Sequence, residues 1–253
     1  MRELKGKVAW ITGAGTGIGA AAALAYAAAG MHLVLSGRRR EKLEEVEAAI
    51  RAAGDPAGDI VLEPLDVADG DAVEAVAGRI DSRFGRLDIL VNSAGINIPK
   101  RSWKEVSRAG WDQVVRIDLD GTYYCCAAAL PMMRRQQDGL VINVSSWAGR
   151  WVTKLTGPAY NAAKHGVCAL TESLNQEECG NGIRATAMLP GEVATPILDN
   201  RPVPVSADDR AKMVQAEDTG ELCLFLARLP SHVCINEVVI SPTHNRLYLG
   251  QVG

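Results

Sequence analysis

The chain has 253 residues, 47% of them hydrophobic and 23% charged, with a formal net charge of −3. This is the composition of a globular protein, which excludes disorder and collagen-like structure, and at ~100–200 residues per domain the length allows one large α/β domain or two small ones. The slight acidic balance argues against a nucleic-acid binder and against attachment to a membrane through a polybasic surface.

In chain order, short apolar runs alternate with helical patterns. The runs are Val8–Ile11, Leu33–Leu35, Ile60–Leu62, Ile89–Val91, Leu140–Ile142, Ala185–Leu189 and Val238–Ile240. They are continuously apolar rather than alternating, as expected for strands covered on both faces. Between them, helices are expected over 20–29, 40–53, 69–84, 112–134 and 158–179. In 69–84, Val73, Val76, Ala77, Ile80 and Phe84 share one face, and Asp69 and Asp71 suit the N-terminus. The alternation predicts an α/β fold, a doubly wound parallel sheet of about seven strands with helices on both faces, as one domain over 1–253. The Pro-containing stretch 192–215 is expected to be a substrate loop or lid. Val8–Gly37 contains no Lys, Arg, Asp or Glu, but its glycines and alanines fit strand–turn–helix–strand better than a membrane span.

The N-terminus through Lys7 has no signal-peptide pattern, and the expected location is the cytoplasm. None of the cysteines at 125, 126, 168, 179, 223 and 234 forms a Cys-x-x-Cys pair, so they are expected to be small buried residues in a reducing compartment. The histidines at 32, 165, 232 and 244 are scattered, and no metal site is expected.

The first strand runs directly into Gly13-Ala14-Gly15-Thr16-Gly17-Ile18-Gly19 and then an alanine-rich helix. Glycines let a pyrophosphate approach the free N–H groups and positive dipole end of that helix. Placed between a buried strand and a helix, this turn points to a dinucleotide. About 20 residues on, the second strand ends in Gly37 followed by Arg38. No carboxylate is there to hold a ribose 2′-hydroxyl, while Arg38 could pair with a 2′-phosphate, which favours NADP over NAD. Thr16 stands where a further basic residue could have helped.

Tyr160 and Lys164 lie at i and i+4, on one helix face. A free phenol has a pKa of about 10, and a nearby ammonium lowers it toward the range of a useful proton donor and acceptor. The fifth strand ends in Ser145-Ser146, at the carboxyl edge where open α/β sheets bind ligands. Either serine could hydrogen-bond a carbonyl oxygen.

These features, with Leu65-Asp66-Val67, Asn92-Ser93-Ala94-Gly95 and Pro190-Gly191-Glu192-Val193-Ala194-Thr195-Pro196, resemble the short-chain dehydrogenase/reductase family over essentially the whole chain. The resemblance implies a Rossmann fold and hydride transfer between NAD(P) and an alcohol/carbonyl pair, with Ser146, Tyr160 and Lys164 catalytic. It also implies that Lys164 holds the nicotinamide ribose and that Asp66 and Val67 face the adenine. Asn92, Ala94 and Gly95 would flank the cofactor, and Pro190, Gly191, Val193 and Thr195 would lie by the nicotinamide. Two departures stand out. Asp118 occupies the slot of the family's fourth catalytic residue, an Asn, which predicts a working but slower enzyme. The tail, Asn236-Glu237 through Pro242-Thr243, lacks the common Asp-Gly-Gly ending.

Position alone makes Ile96, Asn97, Ile98, Trp147, Trp151, Glu192, Ile197 and Leu198 substrate-pocket candidates, and the tryptophans would suit an apolar or ring-shaped small-molecule substrate. Helices 112–134 and 158–179 carry more alanine and cysteine than one face needs, and the resemblance implies a homotetramer or homodimer built on them. The rival readings are an NADP-binding redox sensor made inactive by Asp118 and an epimerase or dehydratase, which would need a longer C-terminal region.

Overall fold

The computed structural model describes residues 1–54, 56–201 and 203–250. Seven strands, β1 (Val8–Thr12), β2 (His32–Gly37), β3 (Ile60–Pro64), β4 (Ile89–Asn92), β5 (Gly139–Val144), β6 (Ile183–Pro190) and β7 (Glu237–Ile240), form one sheet. All pair in parallel, in the order β3-β2-β1-β4-β5-β6-β7. The order reverses between β1 and β4, which opens a crevice at the carboxyl ends of those strands, where ligands of such sheets bind.

Helices cover both faces. On one lie α1 (Gly17–Ala28), α2 (Arg40–Ala53) and α8 (Ala216–Arg228); on the other lie α3 (Gly70–Phe84), α5 (Gly121–Gln136) and α6 (Gly157–Glu178). The period of two along each strand distributes its side chains between these layers. In β1, Ala9 and Ile11 face the first layer and Val8 and Trp10 the second; in β4, Ile89 and Val91 oppose Leu90 in the same way. Burial on both faces explains why these strands read as unbroken apolar runs. Two buried polar side chains of this core are bonded: Trp10 Nε1 donates to Ser36 Oγ at 3.0 Å, and the Tyr26 hydroxyl donates to the Cys223 carbonyl at 3.2 Å. As expected, Asp69 caps α3, its carboxylate accepting from the Ala72 N–H at 3.1 Å.

Four features depart from the sequence expectation. The single helix expected over 112–134 is instead α4 (Arg108–Val115), a π-helical turn over Arg116–Asp120, and α5. Helix α8 was not expected; it begins with a reciprocal capping box between Gln215 and Asp218. Strand β7 lies at the sheet edge, so only one face is covered: Val238 packs on the core while Val239 is 41% exposed. Cys125, Cys126 and Cys223 are buried, but Cys179 and Cys234 are on the surface, so burial does not account for all six. Among the described residues, no helix is long and apolar enough to cross a membrane.

After β6 the chain makes an excursion from Glu192 to Gln215, containing a 3₁₀ turn over Pro196–Asn200 and α7 (Ala207–Ala211). A parallel bridge between Val193 and Val214 closes its base. Pro196, Ile197, Leu198 and Arg201 from this excursion form one wall of the crevice.

Candidate active site

The crevice at the strand ends is a cleft of about 260 Å³. Its floor comes from the glycine turn, with Gly13, Thr16, Gly17 and Ile18, and from the loop after β4, with Ala94 and Gly95. Gly13 has φ +65°, and a Cβ there would stand 2.7 Å from the Ser93 carbonyl and the Ala94 amide; one at Gly19 would stand 2.4 Å from the Gly13 carbonyl. No side chain could fit between these backbones, so the turn presses directly onto the neighbouring loop. Thr16 caps α1 without a side-chain hydrogen bond, and the first turn of α1 carries no acidic residue. Its N–H groups are therefore open to an anion. This donor set and bare backbone fit a dinucleotide pyrophosphate.

The opposite wall holds Ser146, Tyr160 and Lys164, together with Pro190, Gly191, Val193 and Thr195 from the end of β6 and the loop beyond it. Ser145 has its hydroxyl committed elsewhere: it donates to the Lys164 carbonyl at 2.8 Å and accepts from Cys168 Sγ at 3.2 Å. Ser146 caps the turn over Trp147–Gly149, accepting from the Ala148 N–H at 3.1 Å, and lines the cleft together with Tyr160. Of the two serines at this strand end, the Ser145 hydroxyl is thus already occupied.

Lys164 and Tyr160 project from the first turns of α6, the Nζ lying 5.5 Å from the centre of the phenol ring. The ammonium donates to the Val144 carbonyl at 3.1 Å and forms an ion pair with Asp118 Oδ2 at 3.3 Å. Asp118 is completely buried in the π-helical turn, with Oδ1 accepting from the Ile96 N–H at 2.8 Å. The wider turn carries Asp118 beneath the loop after β4, behind the cleft wall rather than in it. A Cβ at Gly95 would lie 3.2 Å from Lys164 Nζ, so the bare backbone there admits the ammonium.

These charges act on one another. Burial pushes the Asp118 carboxyl above the usual carboxylate range, and the Lys164 ammonium offsets that only in part. Burial works against the charge on Lys164, but Asp118 and Tyr160 outweigh it and hold the ammonium above the ordinary lysine value. For Tyr160, burial raises the pKa, the Lys164 ammonium lowers it, the Asp118 carboxylate raises it, and Ser146 and Arg101 lower it; the balance lies above the ordinary phenol. The lowering expected from Lys164 is present, but burial and Asp118 exceed it.

The remaining expected residues lie around the cleft. Gly37 ends β2 beside the glycine turn, where a Cβ would lie 3.9 Å from the Gly15 amide. Arg38 is exposed next to it, with no ion pair to any described residue. Asp66 is exposed, its carboxylate accepting from the Ala68 N–H at 3.1 Å, and Val67 is buried against Gly121. Asn92 lies under the cleft and donates to Asn143 Oδ1 at 2.9 Å. Of the substrate-pocket candidates, Asn97, Glu192, Ile197 and Leu198 line the cleft, while Ile96, Ile98, Trp147 and Trp151 do not. The two tryptophans pack edge-to-face at 5.2 Å, and Trp147 also packs on Tyr248 at 5.3 Å. Trp147 thus packs against the C-terminal tail, and neither tryptophan lines the cleft. Arg101 and Arg201, which no motif marked, do line the cleft.

A family model described as short chain dehydrogenase matches residues 7–203. An uncharacterized oxidoreductase of Staphylococcus saprophyticus is 34% identical over 242 residues, covering 96% of this chain and all of that one. An alcohol dehydrogenase from the archaeon Thermococcus sibiricus, solved with 5-hydroxy-NADP, superposes with a TM-score of 0.85 at 26% identity, over 96% of this chain and 99% of that one. A levodione reductase superposes with a TM-score of 0.87 at 31% identity, over 94% and 97% of the two chains. The chain belongs to the short-chain dehydrogenase family and is an oxidoreductase of that family.

Proposed function

We propose that the chain interconverts an alcohol and a carbonyl compound with NADP as the partner in hydride transfer, using Tyr160, Lys164 and Ser146. The observation that carries this reading is that these three side chains and the glycine turn line one cleft. When bound, the nicotinamide supplies or accepts the hydride. The glycine turn and the N-terminus of α1 hold the pyrophosphate, and Asp66, Val67, Asn92, Ala94 and Gly95 border the rest of the dinucleotide. Ser146 donates a hydrogen bond to the substrate oxygen, and Tyr160 gives or takes the proton there. Lys164 keeps a positive charge beside the phenol and holds the nicotinamide ribose. With its pKa above the ordinary value, the Tyr160 phenol is protonated at neutral pH, the state that reduction of a carbonyl requires. Oxidation requires the phenolate, so its rate rises with pH.

Arg38, exposed beside the bare Gly37 at the end of β2 and without an ion pair to any described residue, supports NADP over NAD, because a 2′-phosphate there meets a guanidinium and no carboxylate. Residues 1–253 act as one domain, with 192–215 covering the substrate. A shallow groove between α5 and α6, lined by Leu119, Tyr123, Tyr124, Gly166, Ala169 and Leu170, with Tyr123 53% exposed, supports assembly into a homodimer or homotetramer through these helices.

Tyr160→Phe tests the mechanism. NADPH binding, followed by its fluorescence, is expected to persist while carbonyl reduction falls by about 10²–10⁴-fold. Unchanged reduction would remove Tyr160 from the mechanism. A protein that only senses the dinucleotide would bind NADPH and reduce no carbonyl in either form.

A further inference from the structure

Arg101 lines the cleft with its charge nearly buried. It is 8% exposed, and its side chain makes one hydrogen bond among the described residues, from Nη2 to the Asn200 carbonyl. Its Nε is buried without a partner, and no described carboxylate pairs with it. The other cleft-lining cations are matched among the described residues, Lys164 by Asp118 at 3.3 Å and Arg201 by Glu192, with Arg246 behind the wall. Arg201 pairs with Glu192 at 2.6 Å, and Arg246 lies 3.7 Å from Glu192 and 3.1 Å from Asp209. Among the described residues, Arg201 and Arg246 thus face the carboxylates of Glu192 and Asp209, and Arg101 is left as one positive charge in excess. Burial, and then the Arg201 guanidinium, disfavour that charge, while the field of Tyr160 favours it. A bound anion would relieve both penalties.

We infer that Arg101 is the anion anchor of the substrate site and that the substrate is a hydroxy acid, or the matching oxo acid, whose carboxylate pairs with Arg101 while its alcohol or carbonyl faces Tyr160. The inference rests on the oxidoreductase reading of the same cleft. A single excess charge matches a monoanion, whereas a phosphate carries about −1.5 to −2 at neutral pH. The planar guanidinium offers parallel donors of the geometry a carboxylate accepts. Leu155, Ile197 and Leu198 line the same cleft and lower the local dielectric, which strengthens such a pair. The carboxylate is unchanged in the reaction: in oxidation the alcohol carbon passes a hydride to NADP, the hydroxyl proton leaves through Tyr160, and an oxo acid, NADPH and one proton result.

The test compares pyruvate, acetoacetate and succinic semialdehyde, each against its methyl ester, with NADPH as reductant. At the chain length that fits, wild-type kcat/KM for the acid is expected to exceed that for the ester by about 10- to 100-fold, the range of a charge-assisted hydrogen bond. Arg101→Gln should reduce that ratio to near one. Arg101→Lys, which keeps the charge and loses the fork, should fall between. In parallel, saturation-transfer NMR with NADP present should show butyrate binding more strongly than butyramide in wild type, and equally in Arg101→Gln. Equal turnover of acids and esters by wild type, or no preference for butyrate, would overturn the anion site while leaving the oxidoreductase reading intact. Arg101-dependent butyrate binding without reduction of any carbonyl would do the reverse.

Discussion

Asp118→Asn separates what the buried carboxylate does for stability from what it does to the chemistry. At 3.3 Å, the Lys164–Asp118 attraction is about 5 kcal/mol at an effective dielectric of ~20. Desolvation of two buried ions costs several kcal/mol each, so the intact pair contributes little net stability. Removing one partner is different, because the other charge stays buried. Such losses run to about 3–5 kcal/mol, and Lys164 retains the Val144 carbonyl at 3.1 Å, which places the cost nearer ~2–3 kcal/mol. At ~2–4 °C per kcal/mol for a chain of this size, the melting temperature should fall by about 5–10 °C. The chemistry should move the other way. Asp118 raises the Tyr160 pKa, so its removal lowers the pH at which the phenolate forms. The rising limb of alcohol oxidation should shift to lower pH, and turnover should equal or exceed that of wild type, because the amide cannot compete with the phenolate for the ammonium. The assay is a pH series of kcat for oxidation, paired with thermal melts. A limb that stays in place or moves upward would refute the electrostatic reasoning; a large loss of turnover would show that the carboxylate has a chemical role of its own.

Gly37→Asp places a carboxylate where a Cβ already has room, 3.5 Å from Leu43 and 3.9 Å from the Gly15 amide. It should shift preference from NADPH toward NADH by about 10- to 100-fold in kcat/KM, by adding a ribose acceptor and opposing a 2′-phosphate. A wild-type protein that already prefers NADH strongly would refute the role given to Gly37 and Arg38. Tyr123→Glu combined with Ala169→Glu puts like charges into the groove between α5 and α6 and should yield a monomer by light scattering. A monomeric wild type, or an assembly unaffected by the double change, would place any interface elsewhere.

The strands were readable because burial on both faces leaves a signal independent of register, and the glycine turn because close backbone approach admits no other residue. The π-helical turn was hidden: 112–134 keeps apolar residues at helical spacing, and nothing local marks where the widening occurs. That turn decides whether Asp118 lies inside the cleft or behind it. The residues by themselves leave Ser145 and Ser146 open, and only the family resemblance favours Ser146; the physical reason, the Lys164 carbonyl that occupies Ser145, comes from a distant helix. Helix α8 did carry a signal, the Gln215–Asp218 capping spacing ahead of an apolar face, in a stretch whose neighbouring prolines suggested irregular chain. Arg101 had none. It reaches the cleft because its carbonyl packs against the start of α6 and its guanidinium meets Asn200, contacts made across long sequence separations.

The ion pairs of Arg246 have a practical corollary. This tail residue joins Glu192, at the root of the excursion, to Asp209 on α7, and so acts as a rivet through two layers of the cleft wall. Proteolytic trimming or a bulky fusion close behind Leu247 should therefore be felt as weaker substrate capture before any loss of folding.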